Sequence, residues 1–389
     1  MKIKNIEKAA QRIIDAVDKN EQIMIFGDSD MDGVSSVVIL EETINNLISL
    51  RKKKNYPEIV VAFPDRDKEG YGLNPEALKY LLKHKQEKSL LITLDCGITN
   101  FDEVKEAKKQ GFEVIICDHH KVLDKVPEAD IIVAPKQKGD KTTFKDYCNA
   151  GLAFKLSKEI LKDKMSLYLE DNFIELVMLA TIADMMPEEE ENQEWIIRGL
   201  ANLQRTQRPA IQAFYEVLDG DVINSKRAFV GKIISVFNTV KMKDHKIKTY
   251  FFINSNNLED ARRSAKQLLK DAEDRQREIR ALTNNLKEYL KENPSSIIFE
   301  GSKDYRADYL GAVASRLVSY FGKPVFLYAK KEDISRGTVR VPKGIDAVKA
   351  MDSCKNLLLM YGGHPPAAGF TVQNENIEDF KKCLIKYFN

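Results

Sequence analysis

Cysteine is scarce in this chain of 389 residues: there are five, with no Cys-x-x-Cys. That is too few and too scattered for a disulfide framework or a zinc knuckle. Long apolar runs are missing too, since none approaches the ~18 residues that span a bilayer. The opening Met1-Lys2-Ile3-Lys4-Asn5 leads into charged sequence without the apolar core of a signal peptide. No sign of charge dominates. The formal net charge is +2, so composition alone does not announce a nucleic-acid binder. Arg51-Lys52-Lys53-Lys54 and Glu188-Glu189-Glu190-Glu191 read as solvated faces or loop tips. There is no internal repeat or low-complexity tract. With 43% hydrophobic and 31% charged residues, the expectation is a reduced, cytoplasmic globular enzyme or binding protein of two domains.

The first half alternates short apolar runs with amphipathic stretches. Ile23–Phe26, Ile59–Phe63, Leu90–Leu94, Val114–Cys117 and Ile131–Val133 are compact and largely β-branched, as in a parallel sheet covered on both faces. The alternation predicts an α/β domain with a parallel sheet over residues 1–192. Residues 193–293 read as a helical connecting region, with one long amphipathic helix over Leu258–Leu290 ending before Asn293-Pro294. A smaller α/β domain over 294–389 is predicted from the runs at 296–299, 325–328, 338–341 and 369–372, with a helix over Leu310–Tyr320. The active cleft is expected between the two α/β domains.

In an open parallel sheet, ligands bind beyond the carboxyl ends of the strands. Three of these strands end in acids: Gly27-Asp28-Ser29-Asp30-Met31-Asp32-Gly33, Asp95-Cys96-Gly97 and Asp118-His119-His120. A single aspartate after a strand is ordinarily an N-cap or turn residue. The Asp-x-Asp-x-Asp-Gly spacing resembles a calcium loop, but Ile39 stands where the bidentate glutamate belongs. Three such ends at one edge are harder to explain individually. Gathered carboxylates repel unless a cation neutralises them, and Asp184, after the apolar run Leu176–Ala183, adds another. Mixed carboxylate and imidazole donors suit manganese, or magnesium with retained waters. The acids suffice for two ions, a combination that activates water for phosphoester hydrolysis.

Asp118-His119-His120 is the motif that names the DHH phosphoesterase superfamily, and the chain resembles its RecJ branch of single-strand-specific exonucleases. Gly27–Ser35, Leu94–Ile98 and Ala180–Pro187 resemble motifs I, II and IV. Phe63–Arg66 with Glu69–Leu73, and Ala150–Leu156, resemble RecJ-like loops. Gly362-Gly363-His364-Pro365-Pro366-Ala367-Ala368-Gly369 resembles the signature of the companion DHHA1 domain.

By that resemblance Asp30, Asp32, Asp95, His119 and Asp184 are metal ligands, with Asp95 bridging two Mn2+ or Mg2+ ions. Asp28 ligates directly or through water, and His120 binds the scissile phosphate or donates to it. Gly33 lets the acid loop turn into the following helix, and Cys96 and Cys117 pack at strand ends. Arg66, Asn238, Lys241, Thr338, Arg340, Gly362, Gly363 and His364 are the expected substrate contacts. Two departures touch the phosphate pocket: Lys241 stands where the family has arginine, and Thr338 where serine is commoner. The OB-type domain of many bacterial relatives, a source of stacking platforms for single strands, is not expected after the DHHA1-like region.

The activity implied is 5′→3′ hydrolysis of single-stranded DNA to 5′-mononucleotides. The partners implied are single-stranded DNA or RNA and a single-strand-binding or replication or repair protein, with no membrane and a monomer preferred. Two other readings stand beside it: a DHH enzyme for dinucleotides, nucleotides or cyclic dinucleotides, and a non-catalytic replication scaffold.

Overall fold

The computed structural model describes residues 2–52, 55–66, 69–70, 72–218, 225–237, 242–292 and 295–389, with His364 described by its backbone only. Asn238 and Lys241, two of the expected substrate contacts, lie outside the described residues. The chain forms two compact units, Met1–Ala272 and Glu273–Asn389.

The first unit is built on five strands: β1 (Gln22–Gly27), β2 (Ile59–Ala62), β3 (Ser89–Leu94), β4 (Phe112–Cys117) and β5 (Ile131–Val133). They pair in the order β2-β1-β3-β4-β5, every pair parallel. Each run expected from the sequence is a strand here. Their contiguous apolar character has a direct cause, because successive side chains enter opposite cores. Ile23 and Ile25 join one core, and Met24 and Phe26 the other.

The first core is covered by α1 (Ile6–Lys19), α2 (Met31–Arg51), α5 (Asn149–Leu161) and α6 (Leu167–Ala183); the second by α3 (Pro75–His84) and α4 (Phe101–Lys109). The unit continues through α7 (Glu190–Asn202), α8 (Pro209–Val217), α9 (Lys226–Phe237), a hairpin of β6 (Met242–Lys243) and β7 (Lys246–Ile247), and α10 (Lys248–Ile253). α11 (Leu258–Tyr289) is the long helix expected from its apolar spacing.

Gly33 acts differently from the expectation. It lies in the first turn of α2, and a Cβ there would meet the Asp28 backbone carbonyl oxygen at 2.2 Å. Close approach of two backbone segments, rather than a turn, calls for glycine.

Glu175 on α6 is buried, and the Thr206 hydroxyl donates to it at 2.6 Å. Burial pushes its carboxyl up to about 7 against that bond. A raised carboxyl pKa stabilises the fold at low pH, and that contribution is lost between the unfolded value and about 7. Glu175→Gln keeps an acceptor for Thr206 and removes the charge. Denaturant titrations should find it more stable than wild type by ~2–4 kcal/mol at pH 8 and equal near pH 4.

The second unit has β8 (Ile298–Ser302), α12 (Ala307–Phe321), β9 (Val325–Lys330), β10 (Ile334–Arg340), α13 (Ala347–Asp352), β11 (Leu358–His364), β12 (Ala367–Gln373) and α14 (Ile377–Phe388). Its sheet runs β11-β12-β10-β9-β8, antiparallel except for the β8–β9 pair. α13 and α14 cover one face, and α12 with the second half of α11 covers β8 and β9 on the other. The cysteine expectation is corrected here: Cys354 and Cys383 form a disulfide. The fold brings the end of α13 to α14, an approach that sequence spacing does not reveal. Cys96, Cys117 and Cys148 are free and buried.

Candidate metal centre

Parallel register sets the centre. Gly27 of β1 pairs with Leu94 of β3, and Leu94 with Cys117 of β4. The next residues, Asp28, Asp95 and Asp118, therefore leave the sheet side by side. Asp95 does so at φ 61°, with its N–H donating to the Cys117 carbonyl at 3.1 Å. Aspartate is among the few residues that tolerate this left-handed conformation.

α2 starts from the same edge. Asp30 caps it, accepting from the Gly33 N–H at 3.0 Å. Asp32 points to the start of α5, where its two oxygens accept from the Asn149 and Ala150 N–H groups at 2.6 and 2.7 Å. A helix N-terminus is a natural seat for a carboxylate.

Asp184 caps the end of α6. There Met185, at φ 53°, and the bond from the Met186 N–H to the Thr181 carbonyl close a Schellman-type turn.

His119 stands at the middle of these acids. Its Nδ1 lies 2.8 Å from the Tyr147 carbonyl and must donate to it, which leaves Nε2 with a free lone pair. Nε2 sits 3.2 Å from Asp95 Oδ1, 3.4 Å from Asp184 and 3.8 Å from Asp32. Burial lowers the imidazole to about 4, so it is neutral at pH 7 and these are not ion pairs. Among the described residues, His119 Nε2 and Asp95 Oδ1 are both buried without a hydrogen-bond partner. Two such atoms, both electron-pair donors, fit a cation between them.

The acids divide into three groups whose ligand atoms lie within 4.8 Å of one another: Asp95 with His119 and His120, Asp32 with His119 and Asp184, and Asp28 with Asp30 and Asp95. Asp95 and His119 each serve two groups, so the donor set accommodates two divalent cations of the oxygen-preferring kind.

Charge is distributed unevenly across the centre. Burial first, and neighbouring carboxylates second, push Asp32 and Asp95 well above the usual range and Asp184 up to about 6. Asp30 resists its burial because the Arg66 guanidinium holds it down. Arg66 bridges Asp28 and Asp30, at 2.6 and 2.9 Å. The expected phosphate contact therefore sits on two of the acids. His120 is 45% exposed. Burial would lower it, but the hydrogen bond and charge of Asp118, 2.8 Å from Nδ1, push it up to about 9. It is a cation at neutral pH, suited to a phosphate oxygen.

Of the expected contacts in the second unit, Thr338, Arg340 and Gly362 share one sheet face, whereas Gly363, in register with Ala368 and Val339, falls on the other. Thr338 and Arg340 pair with Leu327 and Val325, which pack under α12. In the other direction Thr338 pairs with Gly369, and Gly369 with Gly362. Arg340 pairs with Ala367, opposite His364. A Cβ on Gly362 would meet nothing within 4 Å among the described residues. Arg340 donates to the Thr338 hydroxyl at 2.8 Å and approaches Gly311 of α12.

Tyr147 and Asn149 are supporting groups that the sequence reading does not name, and Asp118 is a third, named there as a strand-end acid without a role. Asp118 orients His120 and accepts from the Ile98 N–H at 3.0 Å. Its signal was its place in Asp118-His119-His120. The Tyr147 carbonyl carries no side-chain signal at all. Asn149 directly precedes the stretch Ala150–Leu156. With its amide oxygen turned to the Asp95 N–H, it accepts there at 2.8 Å and from Ser36 at 3.0 Å, and donates to the Cys117 carbonyl at 3.0 Å. Such outer partners of metal ligands are worth ~10–100-fold in metal affinity. Asn149→Ala should weaken manganese binding by about that factor, read by titration calorimetry, with the ligands themselves intact.

Residues 22–181 match the DHH family, N-terminal domain, and residues 293–389 match the DHHA1 domain. The chain is 30% identical over 387 residues to the single-stranded-DNA-specific exonuclease RecJ of Bacillus subtilis, covering 98% of this chain and 47% of that protein. It is 29% identical over 400 residues to the RecJ of Haemophilus influenzae, covering 97% and 68% respectively. The chain thus spans about half the length of the B. subtilis relative. A crystal structure of exonuclease RecJ bound to manganese superposes with a TM-score of 0.81 at 26% identity, covering 100% of this chain and 95% of that one. RecJ from Thermus thermophilus in complex with Mn2+ gives 0.83 at 25% identity, covering 100% and 55%.

Proposed function

The chain carries a DHH family N-terminal domain and a DHHA1 domain, and from that premise we propose that it is a metal-dependent 5′→3′ exonuclease hydrolysing single-stranded DNA to 5′-mononucleotides. The observation that carries the reading is the buried Nε2 of His119, without a hydrogen-bond partner among the described residues and set among Asp32, Asp95 and Asp184. RecJ relatives similar over nearly the whole chain, and two solved RecJ structures with manganese, support it.

Asp28, Asp30, Asp32, Asp95, His119 and Asp184 hold two Mn2+ or Mg2+ ions. When bound, the ions supply water activation and offset charge on the phosphate oxygens. The protein groups supply orientation and protons. The Tyr147 carbonyl fixes the His119 tautomer, and the α5 N-terminus holds both oxygens of Asp32. Cationic His120, backed by Asp118, donates to the scissile phosphate and then to the leaving oxygen. Arg66 is a further phosphate contact, as planar guanidinium groups are well suited to be. Thr338, Arg340 and the Gly362-Gly363-His364 strand end hold the nucleic-acid backbone, with Asn238 and Lys241 as further contacts. A cytoplasmic location and a single-strand-binding or repair partner complete the reading.

The test is digestion of end-labelled strands by purified protein with manganese, using Asp95→Ala as control. The panel pairs DNA with RNA, 5′-phosphate with 5′-hydroxyl ends, and a dinucleotide with a long oligomer. Metal-dependent release of mononucleotides from the 5′ end of long DNA is expected. Activity confined to dinucleotides would replace the exonuclease with a short-substrate enzyme, and no activity in any arm would leave a scaffold.

A further inference from the structure

The β6–β7 hairpin is joined by a two-residue turn, Asp244-His245, with φ 52° and 54°. Positive φ at both positions is the geometry of a type I′ turn, where Asn-Gly is the usual choice. A histidine in that conformation is strained by about 1–2 kcal/mol, so the surroundings must favour it.

They do so at four points. The His245 carbonyl accepts from the Phe63 N–H at 2.9 Å. Its ring Nδ1 lies 3.0 Å from the Phe63 carbonyl, to which it can only donate. The ring stacks on Tyr80, centroids 4.5 Å apart. Nε2 faces the Glu69 carboxylate at 3.5 Å, with both side chains largely buried.

Phe63 and Glu69 bracket the loop that carries Arg66. Glu69 is tied back to Asp65: its N–H donates to the Asp65 carbonyl at 2.7 Å, and its other carboxylate oxygen accepts from the Asp65 N–H at 3.2 Å. Next to Asp65, Arg66 reaches Asp28 and Asp30. The hairpin tip therefore grips both ends of the Arg66 loop from an element nearly two hundred residues away in sequence.

We propose that His245 is a positioning residue that sets Arg66 against Asp28 and Asp30 at the metal centre. Its consequence for strand binding rests on the reading of Arg66 as a phosphate contact. The placement of Arg66 itself does not.

The experiment is a double-mutant cycle on manganese affinity in the full chain, by titration calorimetry, with wild type, His245→Gly, Arg66→Ala and the double variant. Glycine suits the turn, so melting curves should show all four folded. His245→Gly is expected to shift manganese affinity up to about tenfold, in the same direction as Arg66→Ala. In the Arg66→Ala background it should change affinity by less than about twofold, because the group it positions is gone. Equal shifts in both backgrounds, or no shift in the first, would overturn the proposal. Should the glycine variant not fold, the same cycle is run with His245→Asn, which tolerates the turn but cannot reach Glu69. The same two results then decide. The titration needs no cleavage, so strands left uncut by every protein would count against the exonuclease reading and not against this coupling.

Discussion

Asp95→Asn is expected to abolish manganese-dependent strand cleavage while making the metal-free protein more stable. Both halves follow from one side chain. Among the described residues, Asp95 is buried, belongs to two of the three ligand groups, and has one oxygen without a hydrogen-bond partner. Loss of a group shared between cations should exceed the ~10–100-fold that outer partners are worth. Asparagine keeps the shape and the left-handed backbone that Asp95 adopts at φ 61°. Its amide can donate to His119 Nε2, 3.2 Å from the present Oδ1, so two unpartnered buried atoms would be satisfied together. The substitution also removes a charge that burial and the neighbouring acids oppose.

The sign with pH is fixed by that opposition. A carboxyl whose folded pKa is raised contributes stability at low pH that is lost as pH rises past its unfolded value. Metal-free wild type should therefore weaken upward from about pH 4. The variant's advantage should grow from pH 4 to pH 7, with each kcal/mol worth about 2–4 °C in melting temperature. Manganese should reverse the order, because only the intact site gains binding free energy. An Asp95→Asn protein that cuts strands at the wild-type rate would remove Asp95 from the site.

How much of this was legible depends on what each element presents to its own neighbours in sequence. The five parallel strands were readable because burial on both faces leaves uninterrupted apolar runs. The acids after β1, β3 and β4 were readable because each follows such a run directly. Asp184 stood out less, since its placement depends on the Schellman turn at Met185 and Met186.

β11 was read only as a glycine signature. It is an edge strand with Leu359 and Met360 exposed, so neither alternation nor a buried run marks it. The β6–β7 hairpin is too short to show a period, and its Asp-His turn lacks the glycine that announces one. Asn149 acts through its amide on three separate segments, and nothing adjacent to it reports that. The Cys354–Cys383 pairing depends on the same kind of distant approach.

Arg208→Ala should be the most destabilising single change outside the two α/β cores, at about 3–5 kcal/mol. Arg208 precedes α8, is only 6% exposed, and makes a two-pronged pair with Glu42 of α2 at 2.8 and 3.1 Å. The residues are 166 apart in sequence, and the guanidinium also reaches the Ile253 carbonyl at 3.4 Å. It thereby joins three segments of the first unit: α2, which begins at the metal centre, the entry to α8 and the end of α10.

Truncation would leave Glu42 without its countercharge in a partly enclosed place, and that loss, more than the worth of the pair, sets the magnitude. The control follows from the same reasoning. Glu42→Met with Arg208→Met removes both charges and fills the space with apolar atoms, so the double variant should recover most of the loss. Urea titrations of wild type, both single variants and the double variant would measure it. Equal destabilisation of Arg208→Ala and the double methionine variant would mean that packing of the guanidinium stem, not an orphaned charge, is what these helices lose.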